Sequence, residues 1–238
     1  MLSLLTLNIQ AAAPPRAQAL LRWLDGRDED VFILTETSVG DGTAYLLDQC
    51  RRAGLDVIHT PDPAGDRGVA LISRVPLVSS GSPSSDRAPD KVARKRGFIA
   101  SLLAVLDRLP DETRTWLVIG GDYNVITRDH QPPYRGFLPF EYQMLDALDC
   151  LGLVDAHQQC SPGVQAHSWI GRSGNGYRFD YFHVGAALTE RVVACSYLHE
   201  PREQKLADHA AVGLTLDLPA VVRLPGDPGG LADVGTLF

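Results

Sequence analysis

Thr115-Trp-Leu-Val-Ile-Gly-Gly-Asp-Tyr-Asn124 is an apolar run that ends in two glycines and then presents Asp122 and Asn124. Residues 115–119 have the composition of a strand, and the glycines mark where it stops. Asp122 and Asn124 are two apart, so in extended backbone their side chains point to the same side. In that arrangement one can hold a nucleophilic water while the other donates to a phosphoryl oxygen. The same residues also suit a turn in which Asp and Asn bond their own backbone. Taken alone, the stretch favours neither.

The pattern repeats outward from there. Asn8 ends an apolar run over residues 2–9, and Glu36 follows a nearly continuous apolar run over 30–35, the signature of a strand buried on both faces. Asp180 sits in Arg178-Phe-Asp-Tyr181, and Asp208-His209 opens the last apolar strand. Any one of these is more often a solvated or capping residue than a catalytic one. Several at strand ends weigh more, because open α/β sheets place their ligand sites there.

Between these points the chain alternates strands with amphipathic helices, so layered α/β packing is expected. Helices are expected over 15–24, 43–52, 93–109 and 140–151. Further strands are expected over 55–59, 68–72, 178–184, 192–197 and 209–216. Residues 79–90 have the Ser, Pro, Asp and Gly content of a loop. One domain is expected over 1–218, followed by a Pro/Gly-rich tail over 219–238.

Composition narrows the class. The 238 residues are 45% hydrophobic and 21% charged, which excludes disorder over most of the chain. No apolar run reaches the roughly 18 residues of a membrane span. The N-terminus alternates like a strand and lacks the basic region and cleavage site of a signal peptide, so a cytoplasmic protein is expected. Cys50, Cys150, Cys160 and Cys195 show no metal-site spacing and suit reduced thiols. The net charge of −7 argues against broad charge-driven binding to nucleic acid, although a local basic groove is compatible with it. Walker A, GxSxG, HExxH and GxGxxG motifs are all absent. The remaining oxygens, Glu36 among them, suit Mg²⁺, a hard cation. An Asp–His pair suits charge stabilisation on a phosphate oxygen, and Asp122 suits activation of a water.

The ordered set Leu7-Asn8, Thr35-Glu36-Thr37, Gly68-Val-Ala-Leu-Ile-Ser-Arg74, Gly121-Asp-Tyr-Asn124, Arg178-Phe-Asp-Tyr181 and Asp208-His209 resembles the endonuclease/exonuclease/phosphatase superfamily. Ser168-Trp169 followed by Gly176-Tyr-Arg-Phe-Asp-Tyr181 is most similar to its exonuclease III-like and abasic-site DNA endonuclease branch. The resemblance implies a four-layer α/β sandwich of two mixed β-sheets flanked by helices, with one site at their shared edge. It implies that Glu36 binds Mg²⁺, with Mn²⁺ as a substitute, and that Asn8 and Asp208 contribute. Asp122 would orient or deprotonate the attacking water, and Asn124 would hold the scissile phosphate. His209, steered by Asp180, would stabilise the developing negative charge. The reaction implied is in-line hydrolysis of a phosphodiester without a covalent enzyme intermediate.

By the same resemblance Trp169 and Tyr177 pack against the sugar or base beside the cleaved bond, and Arg178 favours a nucleic-acid substrate. Lys91, Arg94, Lys95 and Arg96 form the densest basic run. Such a run is usually a solvated helix face; the functional reading takes Arg94 and Arg96 as phosphate contacts. His59, His130, His157 and His199 match no family motif and are expected at the surface or as caps. His183 is expected to pack within its strand, facing away from Asp180. DNA is the expected partner and a monomer the default state. The rivals are a phosphatase or phosphodiesterase acting on a small or lipid phosphoester, and a catalytically silent binding protein with the same fold.

Two departures from the family stand out. Gln10 occupies a position where the branch often has Asp or Asn, which removes a charge from the metal site. Between Arg74 and Gly121 the family usually has two further strands, and this stretch is too short for them. Three explanations stay open: a stretch omitted from the chain, a deliberately shortened chain, or a natural variant whose sheet closes differently. The abrupt run over 82–90 favours the first, and an intact mass equal to that of the 238 residues would eliminate it.

Overall fold

The computed structural model describes residues 1–60, 67–77, 90–134 and 136–219. The loop expected over 79–90, apart from Asp90, and the tail from residue 220 onward lie outside the described residues. The chain opens on β1 (Leu2–Asn8) and continues through α1 (Pro14–Asp25), β2 (Val31–Thr37) and α2 (Asp41–Arg52). Pro14 and Pro15 occupy the first turn of α1, where the missing N–H has no helical partner to lose. β3 (Asp56–Thr60) and β4 (Gly68–Ser73) follow, then α3 (Lys91–Arg108), α4 (Asp111–Thr115) and β5 (Val118–Asp122). α5 (Pro139–Cys150), β6 (Leu153–Asp155) and α6 (Ala156–Cys160) lead to a two-stranded hairpin of β7 (Trp169–Ile170) and β8 (Gly176–Tyr177). The last part runs β9 (Asp180–Gly185), α7 (Ala186–Thr189), β10 (Val192–Leu198), α8 (Glu200–Glu203) and β11 (Ala211–Leu216).

One sheet has six strands in the order β10-β11-β1-β2-β4-β3, and a second has three in the order β5-β9-β6. In the first, β1 and β2 are parallel while the other pairs are antiparallel, so the sheet is mixed. The three-stranded sheet is antiparallel throughout. Three apolar interiors bind the layers. Leu4, Ile33, Phe182, Val184 and Leu214 fill the space between the sheets. Leu7, Leu20, Leu34, Leu46 and Ile72 join the six-stranded sheet to α1 and α2. Ile99, Leu106, Met144, Leu148 and Leu153 join the smaller sheet to α3 and α5. The result is the four-layer arrangement of helices, sheet, sheet and helices. β2 explains its own composition: Ile33 faces the other sheet while Phe32 and Leu34 face the helices, so both faces are apolar.

Two expectations shift. The strand expected over 115–119 lies at Val118–Asp122, because residues 111–115 form α4 instead. Asp122 is therefore the last strand residue and not the first loop residue. The two extra family strands have no counterpart among the described residues, where β5 is an edge of its sheet. Gly120 is needed where it stands, since a Cβ there would come within 2.3 Å of the Phe182 ring.

Candidate active site

The strand ends converge. Register places Asp122, the last residue of β5, opposite Asp180, the first of β9. His209 lies just before β11 and bridges by its backbone to Trp169 at the start of β7. Asn8 ends β1 in the facing sheet. Reactive atoms of Asp122, Asp180 and His209 all lie within 4.8 Å of one another. They are the one such set of three carboxylate, imidazole or thiol groups among the described residues.

Hydrogen bonds fix each member. Asp180 is fully buried, and its Oδ2 lies 2.7 Å from His209 Nδ1. The Ser168 hydroxyl accepts from the Phe179 and Asp180 N–H groups at 3.0 and 3.2 Å, and the Tyr197 hydroxyl donates to the Asp180 carbonyl at 2.7 Å. The half-buried Asp122 carboxylate accepts from Asn8 Nδ2 at 2.9 Å, and from Asn124 N and Nδ2 at 2.8 Å each. This merges the two readings of the tetrapeptide: Asp122 bonds its own backbone two residues on, and that turn brings the Asn124 amide alongside it. Asn124 has φ 53°, a left-handed conformation that costs roughly 1 kcal/mol and that Asn tolerates better than most residues.

Charge is unevenly divided. Burial and then the Asp180 carboxylate push Asp122 up to about 7, against the opposing pull of His209 and of the Asn124 and Asn8 donors. Burial alone would lower His209, but the charge and hydrogen bond of Asp180, with Asp122 and Asp208 behind it, raise it to about 9. The site thus pairs a carboxyl poised near neutrality with an imidazole held protonated, a division suited to a base and an acid.

Asp208 and Glu36 supply two further carboxylates. Asp208 Oδ2 accepts from Gln10 Nε2 at 3.1 Å, while its Oδ1 is buried without a hydrogen-bond partner. Asn8 Oδ1 accepts from Gln10 N at 2.8 Å. Glu36 sits at a register break between β2 and β4 with φ 51°, a bulge that turns it out of the ladder, and its Oε2 lies 3.7 Å from Arg67. Arg16 donates to the carbonyls of Ile9, Gln10 and Leu206, which ties the end of β1 to the segment carrying Asp208. The donors are all oxygens, and Asp208 Oδ1 lacks a partner, so the residues present fit a hard divalent cation.

Asn8, Asp122, Asn124, Asp180 and His209 are therefore brought together, with Asp208 joined through Gln10. Trp169 is half-buried, 5.6 Å from Phe179, whose ring is 6.3 Å from His209. Tyr177 is only 6% exposed, stacked by His130 at 5.5 Å and met edge-on by Tyr134 at 5.2 Å, so its ring is enclosed by protein. Arg178 differs most from expectation. It is 3% exposed, ion-paired with Asp155 and 4.3 Å over the Tyr181 ring, and so serves the interior. Arg96 is exposed over Phe140 at 4.4 Å, and Arg94 is half-buried two residues earlier on α3. His183 is buried and stacked on Tyr123 as its strand position implies, but His130 and His157 are also buried, contrary to the surface expectation. His130 stacks on Tyr177 and His157 meets Tyr197 edge-on, contacts that are long-range and have no local sequence signal. Ser168 is the hydroxyl that anchors Asp180, a role that its place before Trp169 does not announce in the sequence.

Comparison with known proteins yields a family match and a shared fold. Residues 5–209 match the model of the Endonuclease/Exonuclease/phosphatase family. An AP endonuclease from Archaeoglobus fulgidus has a similar structure, with TM-score 0.76 and 20% identity over 92% of this chain and 100% of that one. A 3′ phosphatase from Neisseria bound to product DNA hairpin gives 0.74 and 20%, again over 92% and 100%. An AP endonuclease from Leishmania major gives 0.68 and 19% over 92% and 88%. Among curated proteins no sequence match is found.

Proposed function

The chain belongs to the endonuclease/exonuclease/phosphatase family, and from that premise we propose that it is a divalent-metal-dependent hydrolase of phosphodiester bonds in DNA, of exonuclease or abasic-site endonuclease type. The observation that carries this reading is the buried Asp180–His209 pair set against an Asp122 carboxylate that Asn8 and Asn124 hold in place. Asp122 accepts a hydrogen bond from the attacking water and takes its proton as the water oxygen bonds to phosphorus. The Asn124 amide and His209 face the phosphate oxygens. Nδ1 of His209 is committed to Asp180, so Nε2 is the nitrogen that donates. The bond from phosphorus to the leaving sugar oxygen breaks in line, and no covalent enzyme intermediate forms.

Glu36 and Asp208, with Asn8 beside them, are the residues that would hold Mg²⁺ or Mn²⁺, which when bound offsets negative charge on the phosphate. Hydrolysis is expected to stop in EDTA and return on adding Mg²⁺. In Glu36→Gln the Mg²⁺ concentration for half-maximal rate should rise by roughly 10-fold or more. Full turnover in EDTA would remove the metal from this reading.

DNA as substrate is supported by the names of the structural neighbours, by the exposed edge of the Trp169–Tyr134 aromatic group, and by Arg94 and Arg96 at the start of α3. The deciding assay is hydrolysis of labelled duplex DNA, with and without an abasic site, across a Mg²⁺ titration. A second reading, a small phosphoester substrate, draws on the net charge of −7 and on Arg178 being paired internally. Phosphate release from a small ester without any DNA cutting would select it.

A further inference from the structure

Asn124 is held from behind by a residue of a different layer. Its carbonyl oxygen accepts from Lys95 Nζ at 2.6 Å, and Lys95 lies on α3, 29 positions earlier. The same ammonium is 2.5 Å from Glu141 Oε1 and 4.9 Å over the Phe137 ring. Glu141 is nearly buried in the first turn of α5, where a carboxylate is favoured, and its other oxygen accepts from the Leu138 N–H at 2.6 Å. The ammonium therefore has three fixed neighbours, an anion, a carbonyl and an aromatic face. A lysine so engaged differs from a solvated basic face, and also from a side chain free to reach a DNA phosphate. Removing one partner of such a nearly buried pair leaves the other charge uncompensated, so Lys95 and Glu141 hold each other in place.

What this pair orients is the one residue between β5 and α5, among the described residues, with a left-handed backbone. We infer that Lys95, clamped by Glu141, is a positioning residue that holds Asn124 in its left-handed conformation and so aims the Asn124 amide at Asp122 and at the scissile phosphate. This rests on the hydrolase reading above for its effect on catalysis. Its effect on the backbone does not. Without the ammonium the Asn124 carbonyl loses its charged donor. The turn then relaxes toward ordinary φ values, carrying both Asn124 donors off the Asp122 carboxylate.

The test compares Lys95→Met and Lys95→Arg in the full chain. Lys95→Met should lower kcat by about 10–100-fold, as expected for a misplaced catalytic group, while KM stays within about threefold. Lys95→Arg, which keeps a cationic donor, should recover most of that loss. Amide hydrogen exchange over 122–127 should quicken by about 10-fold in Lys95→Met, with β9 and β11 still protected as a check on folding. A raised KM at unchanged kcat would make Lys95 a phosphate contact and overturn the inference. Unchanged exchange over 122–127 would also overturn it, whatever the activity. Absence of hydrolysis in the native chain would instead strike the hydrolase reading, and the exchange result would still decide the brace.

Discussion

Asp122→Asn should fold, bind duplex DNA with near-native affinity, and cleave it about 10²–10⁴-fold more slowly, the range spanned by losing a general base. The expected loss is large for two reasons. The amide cannot take a proton from water, and it also disturbs its own supports. Asp122 Oδ2 accepts from both Asn8 and Asn124 side chains, and Oδ1 accepts from the Asn124 backbone. An amide has one oxygen, so whichever way it turns, an NH₂ group faces a donor. Single-turnover cleavage alongside binding measured in EDTA separates chemistry from affinity. Turnover within a few-fold of native would sink the role given to Asp122.

The second large effect belongs to Asp180. Asp180→Asn should slow cleavage by about 10²–10⁴-fold, because His209 loses both its orientation and the charge that keeps it protonated. The pH profile identifies the cause. In the native chain the rate should rise as Asp122 ionises through about 7 and fall as His209 deprotonates through about 9. Asp180→Asn should move the alkaline fall down toward the ordinary histidine value of about 6.5. Stability follows the same sign. A raised folded-state pKa contributes fully below the unfolded value of about 6.5, and the contribution is lost as pH rises through about 9. The Asp180–His209 pair should therefore stabilise the native chain most in mild acid and least in strong alkali. Melting temperatures across that range, native against Asp180→Asn, check it. An alkaline limb that stays at about 9 in the variant would show that another group sets it.

Some of this was legible in the residue order and some was not, for physical reasons. Period-two alternation and the doubly apolar run of β2 announce strands locally, and the polar residue at one end of each run is visible beside it. That is why Asn8, Asp122, Asp180 and His209 could be singled out before any geometry. Partners brought in by tertiary contact leave no such trace. Arg178 reads as a substrate contact in the sequence because its partner, Asp155, lies 23 residues away on a three-residue strand too short to show a period. Tyr177 is enclosed by His130 and Tyr134, which come from the segment between β5 and α5. Lys95 stands inside a basic run whose ordinary meaning is solvation, and its neighbours Asn124 and Glu141 lie 29 and 46 residues further along the chain. Glu36 stands out in the sequence by its place after β2, but the bulge that turns it outward depends on how β4 pairs, which no local pattern carries.

The division of labour between the two sheets has a consequence for how the molecule fails. Asn8, Glu36 and His209 ride on the six-stranded sheet, whereas Asp122 and Asp180 ride on the three-stranded one. No single sheet owns the chemistry. Activity is then a gauge of alignment across the apolar seam of Leu4, Ile33, Phe182, Val184 and Leu214. A slip along that seam would silence the site while every strand kept its ladder partners, so inactivation on warming should run ahead of the loss of circular dichroism.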